Sequence, residues 1–240
     1  MGTPFSVILT QWALQDIDDI NWQRELAISP ARFLRAKSDT LIRAIPRFNR
    51  PPYMQSWLKY SKPNYNDYLY TAQSAQTSGF SIQTGEIGFE MASAVLVGKD
   101  EVGLPSYDPV NIEYDAVTGD VVVYSDVASG QQIDIDFYTD GYFERELDDE
   151  MCHILSLCIA YTWLHRFVNT WLNMQPKIKD KSFDVGSESA QMTANTAKLK
   201  EARLALNDAL LHYEENVAYA QKTDFQPPFL KPPVPIAPQP

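Results

Sequence analysis

The chain has 240 residues, an ordinary apolar share of 45% and a net charge of −11, with a pI near 4.7. That is enough chain for one large domain or two small ones with a real core. The charge excludes a surface that wraps DNA through phosphate contacts, and no apolar run approaches the roughly 20 residues of a membrane-spanning helix.

Residues 1–14 read as extended or strand-like, with Val7, Ile8 and Leu9 forming an apolar run after Pro4. No basic region precedes that run, so it does not read as a signal peptide. Asp16 to Ala27 fit a short helix with Ile17, Ile20 and Leu26 on one face. Ser29-Pro30 is a start signal, a capping serine followed by proline in the first turn. The helix that follows carries Phe33, Leu34, Leu41, Ile42 and Ile45 on one side and Arg32, Arg35, Lys37 and Arg43 on the other, and Pro46 stops it. The basic residues from Arg24 to Arg50 form the one cationic cluster of the sequence; pairing with an acidic neighbouring surface is the expectation in so acidic a chain, and a nucleic-acid role is the alternative.

From Arg47 to Phe80 the chain is irregular and aromatic. Phe48, Tyr53, Trp57, Tyr60, Tyr65, Tyr68 and Tyr70 are interrupted by Pro51, Pro52 and Pro63. Two readings fit: an interface built on amphipathic rings, or a long connection packed over the core.

The period changes toward two between Gly85 and Tyr138. Ala92 to Val97 reads as a strand, and Ile112 and Tyr114 alternate with Asn111, Glu113 and Asp115. A turn at Thr118-Gly119-Asp120 leads to a strand over Val121 to Val127, and Ser129-Gly130 turns again. Ile133, Ile135 and Phe137 then alternate with Asp134, Asp136 and Tyr138. The pattern predicts a meander with one buried and one wet face, Asp134 and Asp136 lying on the solvent side.

Two long helices follow. The first starts near Leu147, with Asp148 as N-cap and Asp149 and Glu150 in the first turn. Met151, Ile154, Leu155, Cys158, Ile159, Trp163, Phe167, Val168, Trp171 and Leu172 recur at helical spacing until Pro176, which is expected to end it. The second opens near Ser187 and Glu188. Met192, Leu199, Leu206, Tyr213 and Ala220 fall seven apart, with Leu210 and Val217 beside them. So thin a seam suits packing on one long neighbour, on another copy, or on an ordinary bundle. Cys152 and Cys158 sit about 9 Å apart along the first helix and cannot bridge while it is intact.

Residues 225–240 hold seven prolines and favour an extended path. Phe225, Phe229, Leu230, Val234 and Ile236 are the anchors by which this tail would bind a partner, or strap onto its own domain.

Nothing converges on catalysis. His153 and His165 are too far apart on one helix to share a metal, and His212 has only Glu214 and Glu215 nearby. The acidic run Asp134, Asp136, Asp140, Glu144, Asp148 and Asp149 lacks EF-hand spacing. No glycine-rich phosphate loop or nucleophile-elbow serine occurs. We therefore expect no catalytic residue, no cofactor and no metal. The expected fold is α+β: a helical and aromatic segment over 1–80, a β-rich antiparallel insertion over 81–140, a long helical hairpin over 141–222 and an extended Pro-rich tail over 223–240.

The segment Phe137-Tyr138-Thr139-Asp140-Gly141-Tyr142-Phe143, followed by Leu147, Glu150, Ile154-Leu155 and Trp163-Leu164, carries a resemblance. It resembles head-to-tail connector (neck adaptor) proteins of tailed bacteriophages. There a β segment ends in an aspartate–glycine–aromatic turn and runs into a long helix with a tryptophan–leucine pair. A second, alanine-rich helix and a trailing tail follow. The likeness covers roughly residues 110–240, and the β insertion departs from the mostly helical connectors. The resemblance implies a non-enzymatic virion protein, made in the host cytoplasm and placed at the neck. It implies a ring of identical subunits, commonly twelve, with the tail docked on the portal protein and another face receiving the tail or next neck protein. Genome DNA would pass without sequence-specific binding, and an acidic wall would reduce sticking. Another tail or baseplate component, or a nucleic-acid-processing enzyme, are the alternatives.

Overall fold

A computed structural model describes residues 2–17, 19–99, 104–178 and 185–224, of which 170–178, 185–192 and 220–224 are described as backbone. The N-terminal stretch, expected to be extended, is helical. It runs through α1 (Phe5–Val7), a π-helical stretch (Ile8–Ala13) and α2 (Leu14–Asp16). Its apolar run is too short to distinguish a strand from a buried helix. Phe5, Ile8, Leu9 and Ala13 are fully buried, and their spacing is that of one helical face.

α3 (Ile20–Ile28) is capped by Asp19, whose carboxylate accepts the N–H of Asn21 (2.9 Å). Pro30 opens α4 (Pro30–Ala44) as expected, but Ser29 does not cap it with its own side chain. The Ala31 N–H donates instead to Ser93 Oγ (3.2 Å), and the Ser29 and Ser93 hydroxyls share a hydrogen bond of 2.7 Å. A strand thus supplies the cap of the helix lying on it. A 3-10 turn, Ile45–Arg47, and the short α5 (Met54–Trp57) lead into the sheets.

Strands begin earlier than the expected boundary at residue 81. β1 (Tyr60–Ser61) and β2 (Asn64–Thr71) lie in the aromatic stretch that read as irregular. β2 puts Tyr68 and Tyr70 toward the β core and Tyr65 toward α4, so its rings obey a period of two that Pro63 and the flanking prolines concealed. β3 (Phe80–Gln83), β4 (Met91–Lys99), β5 (Pro105–Val110), β6 (Ile112–Tyr114), β7 (Asp120–Val123), β8 (Gln132–Thr139) and β9 (Tyr142–Phe143) follow. They form antiparallel sheets ordered β2-β8-β4-β5 and β3-β7-β6, plus the pair β1-β9. Only β4–β5 and β6–β7 are sequential neighbours, so the expected meander is corrected: β8 inserts between β2 and β4. The turn at Thr118-Gly119-Asp120 is present, with Gly119 at φ 74°.

β8 joins two cores. Ile133, Ile135 and Phe137 face Val121, Val123 and Ile82 of the other sheet. The opposite face, expected to be wet, lies under α4. Asp136 is 3% exposed and Tyr138 1%. Alternation gave the correct pairing of faces, but a helix from outside the β segment covers the polar one. Tyr138 belongs to the helical core with Phe5, Trp22, Phe33, Phe48, Phe143 and Leu155.

α6 (Asp149–Ile178) opens as the sequence indicates, the Met151 N–H donating to the Asp148 carboxylate (2.7 Å). Pro176 lies within its last turn rather than ending it, at the loss of one backbone hydrogen bond. α7 (Val185–Asp224) opens slightly before Ser187. The two pack antiparallel, with His212 and Asn216 of α7 at 3.8 and 3.3 Å from Glu150 at the start of α6. The chain is therefore α+β, with antiparallel sheets set against a helical layer.

Candidate functional site: a charged seam and an exposed helix pair

Two regions concentrate polar or exposed apolar chemistry. The first is the seam between α4 and β8. Arg32 Nε donates to Asp136 Oδ2 (2.8 Å), and Arg32 Nη2 pairs with Asp134. Arg35 Nη1 reaches Asp67 Oδ1 (3.2 Å) on β2 and lies 3.6 Å from Asp136 Oδ1. Rings flank both cations: Tyr107 is 5.3 Å from the Arg32 guanidinium and Tyr65 4.6 Å from that of Arg35. Helical spacing puts Arg32 and Arg35 on one face of α4, and strand alternation puts Asp134 and Asp136 on one face of β8.

Burial pushes the Asp136 carboxyl above its ordinary range, more strongly than Arg32 and Arg35 pull it down, and Asp134 adds to the rise. At Arg32 burial acts to lower the pKa, but Asp136 and Asp134 together raise it. Arg32, Arg35 and Lys37 of the basic cluster thus pair within the chain. In the cleft Asp67, Asp134 and Asp136 are engaged by guanidiniums, with neither a nucleophile nor a histidine among the lining side chains.

A second polar chain explains the aspartate–glycine–aromatic turn. Asp140 accepts the backbone N–H of Ser6 (3.1 Å) at the start of the N-terminal helical segment, where a carboxylate is favoured. The Tyr138 hydroxyl donates to Asp140 (3.1 Å) and shares a 2.9 Å hydrogen bond with Ser38 of α4. Burial raises the pKa of both Tyr138 and Asp140. Gly141 is required sterically: a Cβ there would lie 2.9 Å from the Phe5 ring and from Pro63.

The second region is the α6–α7 pair. Met151, Ile154, Leu155, Cys158 and Ile159 of α6 meet the core, as do Leu206, Leu210 and Tyr213 of α7. Tyr213 stands edge-on to Phe48 at 5.5 Å. Of the expected seam, Leu206, Leu210, Tyr213 and Val217 meet the core, Leu199 is half-buried and stands outside it, and the side chains of Met192 and Ala220 lie outside the described ones. Farther out, Phe167 and Leu204 are exposed, as are Leu211 and Tyr219 on the outer side of α7. Between the helices runs an open groove of about 560 Å³, floored by Leu157, Ala160, Trp163, Ala202 and Ala205, with Asp16 and Ile17 at one end. Lys198 and Glu201 line it as well, so it carries three charged side chains with Asp16, but neither a histidine nor a cysteine.

The histidines stay apart. His153 is 3.6 Å from Asp16, His165 bonds Asn169, and His212 lies beside Glu150 and Asn216. Among the described residues, no three His, Cys, Asp or Glu side chains are placed to share a metal, and no helix is long and apolar enough to cross a membrane. Cys152 and Cys158 are free, buried thiols, pushed up to about 11 and about 12 by burial. The proposed partner-binding residues Phe225, Phe229, Leu230, Val234 and Ile236 lie outside the described residues. Sequence reasoning missed Asp67 and Tyr65 as seam members, because the strand carrying them went unseen. Comparison with protein-family models, with curated proteins and with solved structures finds no match to this chain.

Proposed function

We propose that the chain is a non-enzymatic structural protein of a tailed-phage virion, a head-to-tail connector that joins the portal to the tail. The observation that carries this reading is the α6–α7 pair. Its helices have 30 and 40 residues, about 45 and 60 Å long, yet among the described side chains only part of each enters the core. An antiparallel pair with exposed Phe167, Leu204, Leu211 and Tyr219 offers long lateral surfaces for repeated side-by-side contacts. In this reading α6 and α7 form one hairpin, and copies pack around a closed ring, twelve by the resemblance. Weak contacts suffice there, because closure multiplies them. The Pro-rich tail reaches the portal protein through Phe225, Phe229, Leu230, Val234 and Ile236, and the opposite face takes the next neck or tail protein. A net charge of −11 suits a channel wall through which the genome slides.

Deleting residues 225–240 tests the docking arm. The truncated chain is expected to keep its thermal melting profile and to lose co-purification with the portal protein. A truncated chain that unfolds, or that still docks, removes the tail from the account.

A further inference from the structure

The two outer strands of the four-stranded sheet are built differently. On β5, Pro105, Tyr107 and Pro109 share one backbone edge. Proline has no N–H to give the β4 ladder, so these residues face outward and leave that edge almost without donors. Prolines of this kind block further pairing. β2 has no such guard. It is eight residues long, contains no proline and pairs with β8 over its whole length.

Hydrogen-bond alternation fixes which β2 groups face outward. Ala72, just beyond the strand, donates its N–H to Gln131 O on the β8 side (3.0 Å), so Tyr65, Asp67, Leu69 and Thr71 point away from β8. The Asp67 N–H agrees, donating to the Asn66 side chain (3.0 Å) instead of a β8 carbonyl. The outward N–H groups of Tyr65, Leu69 and Thr71 meet no acceptor among the described residues.

We infer that this edge of β2 receives an extended segment of another protein as a fifth strand, with a lysine or arginine of that segment lying on the α4 side. Tyr65, Asp67 and Leu69 project on that side, where Tyr65 is 42% and Leu69 56% exposed, a surface for apolar neighbours of the added strand. Beside them lies a cleft of about 330 Å³ whose lining sets Arg32 and Arg35 against Asp39, Asp67, Asp134 and Asp136. Two cations against four carboxylates leave room for a further positive charge. A second copy of this chain fits less well. Antiparallel β2 strands would bring two Asp67 side chains together on one face, and the prolines of β5 bar pairing of β2 with that edge. Strand addition would supply main-chain hydrogen bonds for affinity and the alternating side chains for choice. The edge stands whether or not the chain builds a neck ring.

The probe is a labelled synthetic peptide of seven residues, one fewer than β2, with valine, lysine and valine on one face alternating with threonine on the other. It is titrated against the full chain by fluorescence anisotropy, beside a twin with glutamate for lysine. The lysine peptide is expected to bind saturably and about tenfold tighter than its twin. Leu69→Pro removes one outward donor without touching the β8 ladder, and is expected to weaken binding about tenfold at unchanged circular dichroism. Asp67→Lys is expected to reverse the preference. Failure of both peptides to saturate, or binding that Leu69→Pro leaves unchanged, overturns the site. Self-association of the free chain that Leu69→Pro abolishes overturns the choice of occupant in favour of a second copy.

Discussion

Arg32 Nε stands 2.8 Å from Asp136 Oδ2, and this pair fastens α4 to the central strand β8 with the carboxylate 3% exposed. Arg32→Ala is expected to destabilise the fold by about 2 kcal/mol. That is below the usual cost of orphaning a buried charge, because Arg35 stays nearby and Arg32 is partly exposed. Chemical denaturation checks it, and Arg32→Lys should recover little, since lysine cannot span Asp134 and Asp136 as a fork.

The same carboxylate gives a pH signature. Burial raises the folded pKa of Asp136, so the folded chain holds this proton more tightly than the unfolded chain. Its contribution to stability is fully present below the ordinary carboxylate value of about 3.9 and is lost as pH rises through the raised folded value. Asp136→Asn does not titrate. Its stability relative to the parent is therefore expected to improve as pH rises through the carboxylate range. A difference that moves the opposite way would mean that the arginines, not burial, dominate at this site.

Gly141 sits where a Cβ would press on Phe5 and Pro63 at 2.9 Å. Phe5 is fully buried and cannot swing aside freely. Gly141→Ala is expected to cost about 1–3 kcal/mol by overpacking, read as a lower melting temperature. Gly130 is a useful comparison: a Cβ there meets nothing within 4 Å, although its φ of 83° carries its own strain.

The thiols should be quiet. Burial pushes Cys152 up to about 11 and Cys158 to about 12, which leaves little thiolate at neutral pH. Reaction with a thiol-disulfide reagent at pH 8 is expected to be about 100-fold slower in the native chain than in denaturant. Rapid labelling of either cysteine in the native state would contradict the packing of α6 against the core.

Much of the fold was legible in short patterns. Asp148 caps α6, Ser29-Pro30 marks the start of α4, and the alternation over 132–139 placed Ile133, Ile135 and Phe137 on the β core. What escaped was set by partners distant in sequence. Asp136 read as solvated because nothing in its own strand announces α4 above it. β2 was hidden by prolines around it, and Val7-Ile8-Leu9 was too short to show its period. The charged seam was half visible: the basic cluster and the acidic strand stood out, but not that each completes the other. The order β2-β8-β4-β5 lies in pairings between strands far apart along the chain.

The most direct test of the connector reading is electron microscopy of the tagged full chain, isolated from the cells that make it. The expected particle is a closed ring of repeated copies, their α6–α7 pairs side by side, layered on a second protein. A lone monomer with its C-terminal tail folded onto its own domain would contradict it.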